Sequence, residues 1–196
     1  MKREFMFPAE LWQSQIDIDN NKLSKFILDL ETNTESAKIS NIGGWQSDAN
    51  FIFLSELDEL RNKITSLLSE VSKVNAYKDD VSFLFSNGWA NINRFKDYNT
   101  NHQHPLSHWS GVYYVSAPEN SGNIHFFDPK VSRSMVPELP YVKNLDNPSQ
   151  ATYLALKPKE GRFILFPSYI EHSVGPNLSD QPRISISVNF NLKKNK

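Results

Sequence analysis

The sequence predicts a mainly β fold, a jelly-roll-like double sheet with N-terminal helices packed outside it. Three observations carry this. Short strand-like runs fill the chain after residue 80, turn signals separate them, and amphipathic helical segments gather before them. Residues 20–30 place Leu23, Phe26, Ile27 and Leu30 at helical spacing. The stretch 31–50 is mostly polar, contains Gly43-Gly44 and reads as a loop. Residues 51–74 then carry Leu54, Leu57, Leu60, Ile64, Leu67, Leu68, Val71 and Val74 in steps of three and four. That spacing predicts an amphipathic helix lying against the outside of a sheet. Ser55 followed by Asp58 resembles a capping-box start. Strands are predicted at 81–85, 89–95, 109–116, 122–127, 152–157, 162–166, 172–174 and 183–192. Asn87-Gly88, 118–122, Asp128-Pro129, 158–161 and 176–182 supply the turns. The segment 130–150, with Pro137, Pro140 and Pro148, reads as an insertion loop. The expected organisation is one domain over 1–196, with a helical front at 1–80 and a β core at 81–192.

Composition narrows the chemistry. A chain of 196 residues is long enough for one domain with a sizeable core. Lys and Arg (21) nearly balance Asp and Glu (22), giving a net charge of −1, which argues against a dedicated nucleic-acid binder. No cysteine is present, so thiolate zinc sites, catalytic cysteines and disulfides are excluded. Any metal must take nitrogen or oxygen ligands. The start, MKREFMFPAE, has no apolar core of signal-peptide length. No apolar run approaches the roughly 20 residues of a membrane-spanning helix. The expectation is a soluble, cytoplasmic protein without a membrane partner. Aromatics make up 12% of the chain and many fall between 83 and 127, as a β-rich core with a pocket requires.

The segment NHQHP (101–105) is the sharpest local signal. Side chains two apart on an extended segment share a face. His102 and His104 therefore converge, and Pro105 keeps His104 out of the helical region. A lone histidine is ordinarily a packed or surface residue; two convergent imidazoles suit a divalent metal. A third, His172, follows the apolar run Phe163-Ile164-Leu165-Phe166 and a Pro-Ser-Tyr turn. His108 and His125 are read as non-ligands.

Farther on, Arg183, Ser185, Ser187 and Asn189 alternate with Ile184, Ile186, Val188 and Phe190. Alone, this is an ordinary half-exposed antiparallel strand. Close behind His172, an arginine there can form a bidentate pair with a carboxylate. Ser185 adds a hydroxyl donor beside it, and Tyr114 and Asn93 can add two more from neighbouring strands.

Two early ligands, one late ligand and an arginine beyond it resemble the Fe(II)/2-oxoglutarate oxygenase superfamily. The stretches WANIN (89–93), NHQHP (101–105), SGVYYV (110–115), FFDP (126–129), GRFILFPSYIEHSV (161–174) and RISISVNFN (183–191) are similar to one of its families. That family of 2OG-Fe(II) oxygenases is found in marine bacteria and their phages. GGWQS (43–47) fits it too, so the resemblance covers residues 43–191. It implies a double-stranded β-helix fold, with Fe(II) as cofactor and 2-oxoglutarate as cosubstrate. By position, His102 and His172 match the histidine ligands and Arg183 matches the partner of the cosubstrate carboxylate. Tyr114 lies where prolyl-hydroxylase-like enzymes place a tyrosine on that carboxylate. The departure is His104, which stands where the superfamily carries aspartate or glutamate. A neutral three-histidine site is preferred; water or Asp128 as third ligand are the alternatives.

The function so implied is a dioxygenase, a hydroxylase that couples 2-oxoglutarate decarboxylation to oxidation of a peptide or protein by O2. No side-chain acid or base is assigned. Localisation follows the source: the cytoplasm, or the host cytoplasm if a phage encodes the chain. Two other classes fit parts of the pattern. One is a cupin-like metal protein of another reaction class, which would leave Arg183 unexplained. The other is a non-catalytic jelly-roll binding module, which would take up no metal. Trp45, Trp89, Trp109, Tyr98, Tyr113 and Phe127 are candidate pocket residues, and 99–101 and 130–150 are candidate substrate loops.

Overall fold

The computed structural model describes residues 2, 9–130 and 153–195. Among the described residues, two α-helices and eleven strands follow in order: β1 (Trp12–Gln15), α1 (Asn20–Asn33), β2 (Asn41–Ile42), β3 (Trp45–Gln46), α2 (Asp58–Val74), β4 (Val81–Asn93), β5 (Tyr98–His102), β6 (Trp109–Ser116), β7 (Ile124–Phe127), β8 (Tyr153–Leu156), β9 (Arg162–Pro167), β10 (His172–Val174) and β11 (Arg183–Lys194). Short 3-10 turns at Phe51–Phe53 and Ser55–Leu57 lead into α2. Six strands form a major sheet in the order β1-β9-β6-β11-β4-β3, and five form a minor sheet, β2-β5-β10-β7-β8. Neighbouring strands pair antiparallel throughout. The expected double sheet with helices outside is what forms.

Alternation along β11 explains the layering. Ile184, Ile186, Val188 and Phe190 face outward and are buried with Leu23 and Ile27 of α1 and Leu60, Ile64, Leu68 and Val71 of α2. Arg183, Ser185 and Asn189 face inward, yet they are buried too, because the minor sheet covers that face. A second apolar cluster, including Val112, Ile124, Phe126, Ile164, Phe166 and Ile170, fills part of the space between the sheets. The remainder of that space is polar and holds the site.

Four expectations are corrected. The front is not wholly helical: β1 pairs with β9, and β2 and β3, inside the stretch read as a loop, pair with β5 and β4. Asn87-Gly88 is no hairpin turn but lies inside the continuous strand β4. Glycine is needed there because a Cβ would come within 2.8 Å of both Ile52 Cβ and the Ser187 carbonyl. The segment 99–101, read as a loop, belongs to β5. Ser55 and Asp58 form no capping box; Leu57 precedes α2 without a side-chain cap. The entry is tied instead by Arg61, which donates to the carbonyls of Ile52 and Leu54 and pairs with Asp58. The expected insertion loop lies outside the described residues from 131 to 150. No helix among the described residues is long and apolar enough to cross a membrane.

Candidate active site

Three imidazoles meet at one end of the space between the sheets. β10 lies between β5 and β7, and its first residue, His172, pairs directly opposite His102. His102 donates from Nδ1 to the Thr100 carbonyl at 2.7 Å, and His172 does the same to the Ile170 carbonyl at 3.0 Å. A carbonyl only accepts, so both rings carry the proton on Nδ1 and leave Nε2 as a lone-pair donor. Asn101 Nδ2 reaches Glu171 Oε1 at 2.6 Å and ties the residues preceding the two histidines together. Rings of Phe126 and Phe166 pack on His172 at 6.1 and 4.8 Å between centroids.

His104 arrives differently. β5 ends at His102, so His104 stands beyond the strand and not two positions along it. Its ring is turned 86° from that of His102, with centroids 5.0 Å apart. Its Nε2 lies 3.3 Å from His172 Nε2, and the Trp89 ring sits 5.5 Å away. One ligand atom from each of His102, His104 and His172 falls within 4.8 Å of the others, so the three could hold one metal ion. Asp128 is outside that group and lies past the end of β7, where its Oδ1 accepts the Lys130 backbone N–H.

Burial sets the charge of these rings. His102 is held below its ordinary value by desolvation, against the bond to Thr100. Desolvation and then the neighbouring His102 push His104 down to about 4. The same two causes, in that order, push His172 down to about 3. Neutral imidazoles are the form that binds metal. Side-by-side Nε2 lone pairs in a dry pocket are favourable once a cation lies between them.

Arg183, on β11, holds the other end. It is 1% exposed, and its Nη1 donates to the carbonyls of Ser121, Gly122 and Gly175. Its Nη2 is buried with no partner. Desolvation lowers the guanidinium from its ordinary value, against the raising influence of Tyr114 and Asp97, yet arginine stays protonated. Gly122 makes this clamp possible: its φ is +89°, and a Cβ there would sit 2.2 Å from the Gly175 carbonyl and 2.8 Å from Arg183 Nη1. Ser185, Tyr114, Arg183 and the three histidines all line one cavity. Desolvation raises the Tyr114 hydroxyl to about 12, so it is a neutral donor at physiological pH. It makes no hydrogen bond among the described residues.

Asn93 is corrected. It pairs beside Arg183 but does not line the cavity; its amide lies by the Gly43-Gly44 turn, 3.3 Å from where a Cβ on Gly44 would sit. Asn91, opposite Ser185, lines the wall instead, and its Oδ1 is buried and unpartnered. Alternation alone puts both asparagines on the inner face; only cross-strand register tells their depth. Trp89 lines the cavity, while Trp45 and Trp109 are core residues that bond Thr34 and Tyr77. Tyr113 faces α1 and donates to Asn20. Tyr98 and Phe127 do not line the cavity either. His108 bonds Asn191 and His125 packs on Tyr153, both away from the cluster.

The donor set fits Fe(II), and the buried, unpartnered Nη2 of Arg183 fits a carboxylate. Residues 87–189 match the family model described as "Putative 2OG-Fe(II) oxygenase". No curated protein matches the chain. Among solved structures, a Pseudomonas putida prolyl-4-hydroxylase is 12% identical with a TM-score of 0.60, covering 96% of this chain and 94% of that one. HygX from Streptomyces hygroscopicus, with nickel and 2-oxoglutarate bound, is 10% identical with a TM-score of 0.59, covering 93% and 83%. A Trichoplax adhaerens prolyl hydroxylase, in complex with a hypoxia inducible factor peptide fragment, is 12% identical with a TM-score of 0.61, covering 92% and 82%. These likenesses show the same fold. The family match sets aside the cupin-like and non-catalytic readings: the chain belongs to the 2OG-Fe(II) oxygenases, enzymes that use Fe(II) and 2-oxoglutarate.

Proposed function

We propose that His102, His104 and His172 hold the Fe(II), each through Nε2, and that Arg183, Ser185 and Tyr114 hold the far carboxylate of 2-oxoglutarate. One observation carries this reading. Three convergent neutral imidazoles share a cavity with a buried arginine nitrogen that lacks a partner. Iron with 2-oxoglutarate supplies the oxidising chemistry when bound. The chain's own residues do the rest. With Nη1 committed to backbone carbonyls, Arg183 offers Nη2 for charge-assisted bonding to the carboxylate. The Tyr114 hydroxyl and Ser185 add neutral donors beside it. Phe166, Ile124 and Val112 keep the wall dry, which strengthens each of these contacts. Trp89 bounds the cavity on the His104 side.

The substrate is proposed to be a peptide or protein, hydroxylated on carbon. The support is the likeness to prolyl hydroxylases, one of them holding a peptide. The test is succinate formation on exposure of the protein with Fe(II) and 2-oxoglutarate to O2. Succinate that depends on both is expected, rises with a substrate peptide, and vanishes with EDTA. Absence of succinate from folded, iron-loaded protein with every peptide tried would sink the peptide assignment; absence under all conditions would sink the site assignment.

A further inference from the structure

We propose that Ser168, Ser110 and Asn189 form a buried hydrogen-bonded row whose role is to position His104 at the metal. The inference rests on the reading of His104 as a ligand. The three histidines are not held alike. His102 and His172 lie on paired strands, and each ring is pinned through Nδ1 to a carbonyl two residues earlier. His104 has neither support. Its place comes from its backbone, which Ser168 holds at the His104 end, while at the far end His108 N–H also donates to the Phe190 carbonyl at 2.9 Å. His104 N–H donates to the Ser168 carbonyl at 3.1 Å, and Ser168 N–H donates to the His108 carbonyl at 3.1 Å. Both ends of the loop 104–108 are thus strapped to Ser168.

The loop does not hold its own shape. Leu106 sits at φ +69° and is 98% exposed. A branched apolar residue in the left-handed region is strained, and in solvent its side chain makes no packing to offset that strain. The strap must therefore be rigid, and the row makes it so. Ser110 Oγ donates to Asn189 Oδ1 at 2.7 Å and lies 2.7 Å from Ser168 Oγ. A hydroxyl has one hydrogen, and Asn189 Oδ1 cannot donate, so Ser168 must be the donor to Ser110. Asn189 Nδ2 continues the row to Asn87 Oδ1 at 2.8 Å. Register places these groups side by side, since Asn189 pairs with Asn87 on β4 and with Ser110 on β6. Ser110, Ser168 and Asn189 are each at most 5% exposed. Polar groups so deep are favourable only when fully bonded, which makes the row stiff and intolerant of deletion. The row begins at β4 and ends on the residue that aims His104.

Co(II) is the probe, as a stand-in that is not oxidised by the reaction. Its dissociation constant and visible spectrum are measured on the full chain, for Ser110→Ala with and without His104→Ala. Ser110→Ala is expected to weaken Co(II) about tenfold, the low end for residues that orient ligands, and to change the spectrum. In the His104→Ala background the same substitution should change neither. Equal weakening in both backgrounds overturns the proposal, since the row would then support the fold and not this ligand. No weakening in either background overturns it as well. His104→Ala leaving Co(II) affinity and spectrum unchanged would separately refute His104 as a ligand. Should Ser110→Ala not fold by circular dichroism, Ser168→Ala carries the same comparison. It removes only the last hydroxyl of the row and keeps both backbone straps.

Discussion

Arg183 divides its guanidinium between two tasks. Nη1 is bound by three backbone carbonyls and Nη2 is left buried without a partner. Removing the side chain should therefore weaken 2-oxoglutarate binding while sparing the metal. A charge-assisted hydrogen bond contributes about 1.5–3 kcal/mol, so Arg183→Ala should raise the 2-oxoglutarate dissociation constant on the order of 10- to 100-fold. Calorimetric titration of cobalt-loaded protein measures it, and loss of cobalt instead would show Arg183 misassigned. The histidines make a second prediction. His104 and His172 lie at about 4 and about 3 against an ordinary value of 6.5. Between those limits the unfolded chain binds more protons than the folded one. Metal-free protein should keep this contribution above about pH 6.5 and lose it progressively as pH falls towards 3. Denaturant midpoints in EDTA across that range test it. A flat profile between pH 6.5 and 4 would contradict the buried, neutral imidazoles.

At the scale of elements, the turn before β7 is as much part of the site as any side chain. Gly122 stands where a Cβ would meet the Gly175 carbonyl and Arg183 Nη1. Gly122→Ala should therefore destabilise the fold by more than about 1 kcal/mol. It should also weaken 2-oxoglutarate binding without touching cobalt affinity. Unchanged thermal stability and unchanged 2-oxoglutarate binding would show that the clamp is not as drawn. The elements also show what was legible in the sequence. Alternation in β11 and the apolar spacing of α2 are one-dimensional patterns, and both survive folding because each element buries one face on the other. The strand positions of His172 and Arg183 were readable for the same reason: the apolar run of β9 leads into β10, and β11 shows its phase. β5 was not, since Tyr98-Asn99-Thr100-Asn101-His102 is too polar to announce a strand that is paired on both sides. Asn87-Gly88 carries a hairpin signal, but the close approach of Ile52 uses the glycine otherwise. The exchange of Asn93 for Asn91 depends on register with β11, and the bracing of His104 by Ser168 joins residues 64 apart in number. Neither relation exists in a linear pattern.

The whole molecule separates stability from chemistry by sheet face. The outer face of the major sheet is apolar and sealed by α1 and α2, while the inner face is polar and opens on the cavity. Ile64, on α2, is fully buried in the outer cluster. Ile64→Ala should cost about 2–5 kcal/mol of stability and leave cobalt affinity within twofold of the parent at a temperature where both are folded. A large loss of metal binding there would mean the two faces are coupled. The central claim is that three histidines and no carboxylate hold iron beside 2-oxoglutarate. Its most direct measurement is anaerobic titration of Fe(II) into the protein with 2-oxoglutarate, following the weak visible charge-transfer band of the chelate. The account predicts a band that saturates at one iron per chain and is lost in His102→Ala and in His172→Ala. A folded protein that gives no band, or keeps it in both variants, would contradict it.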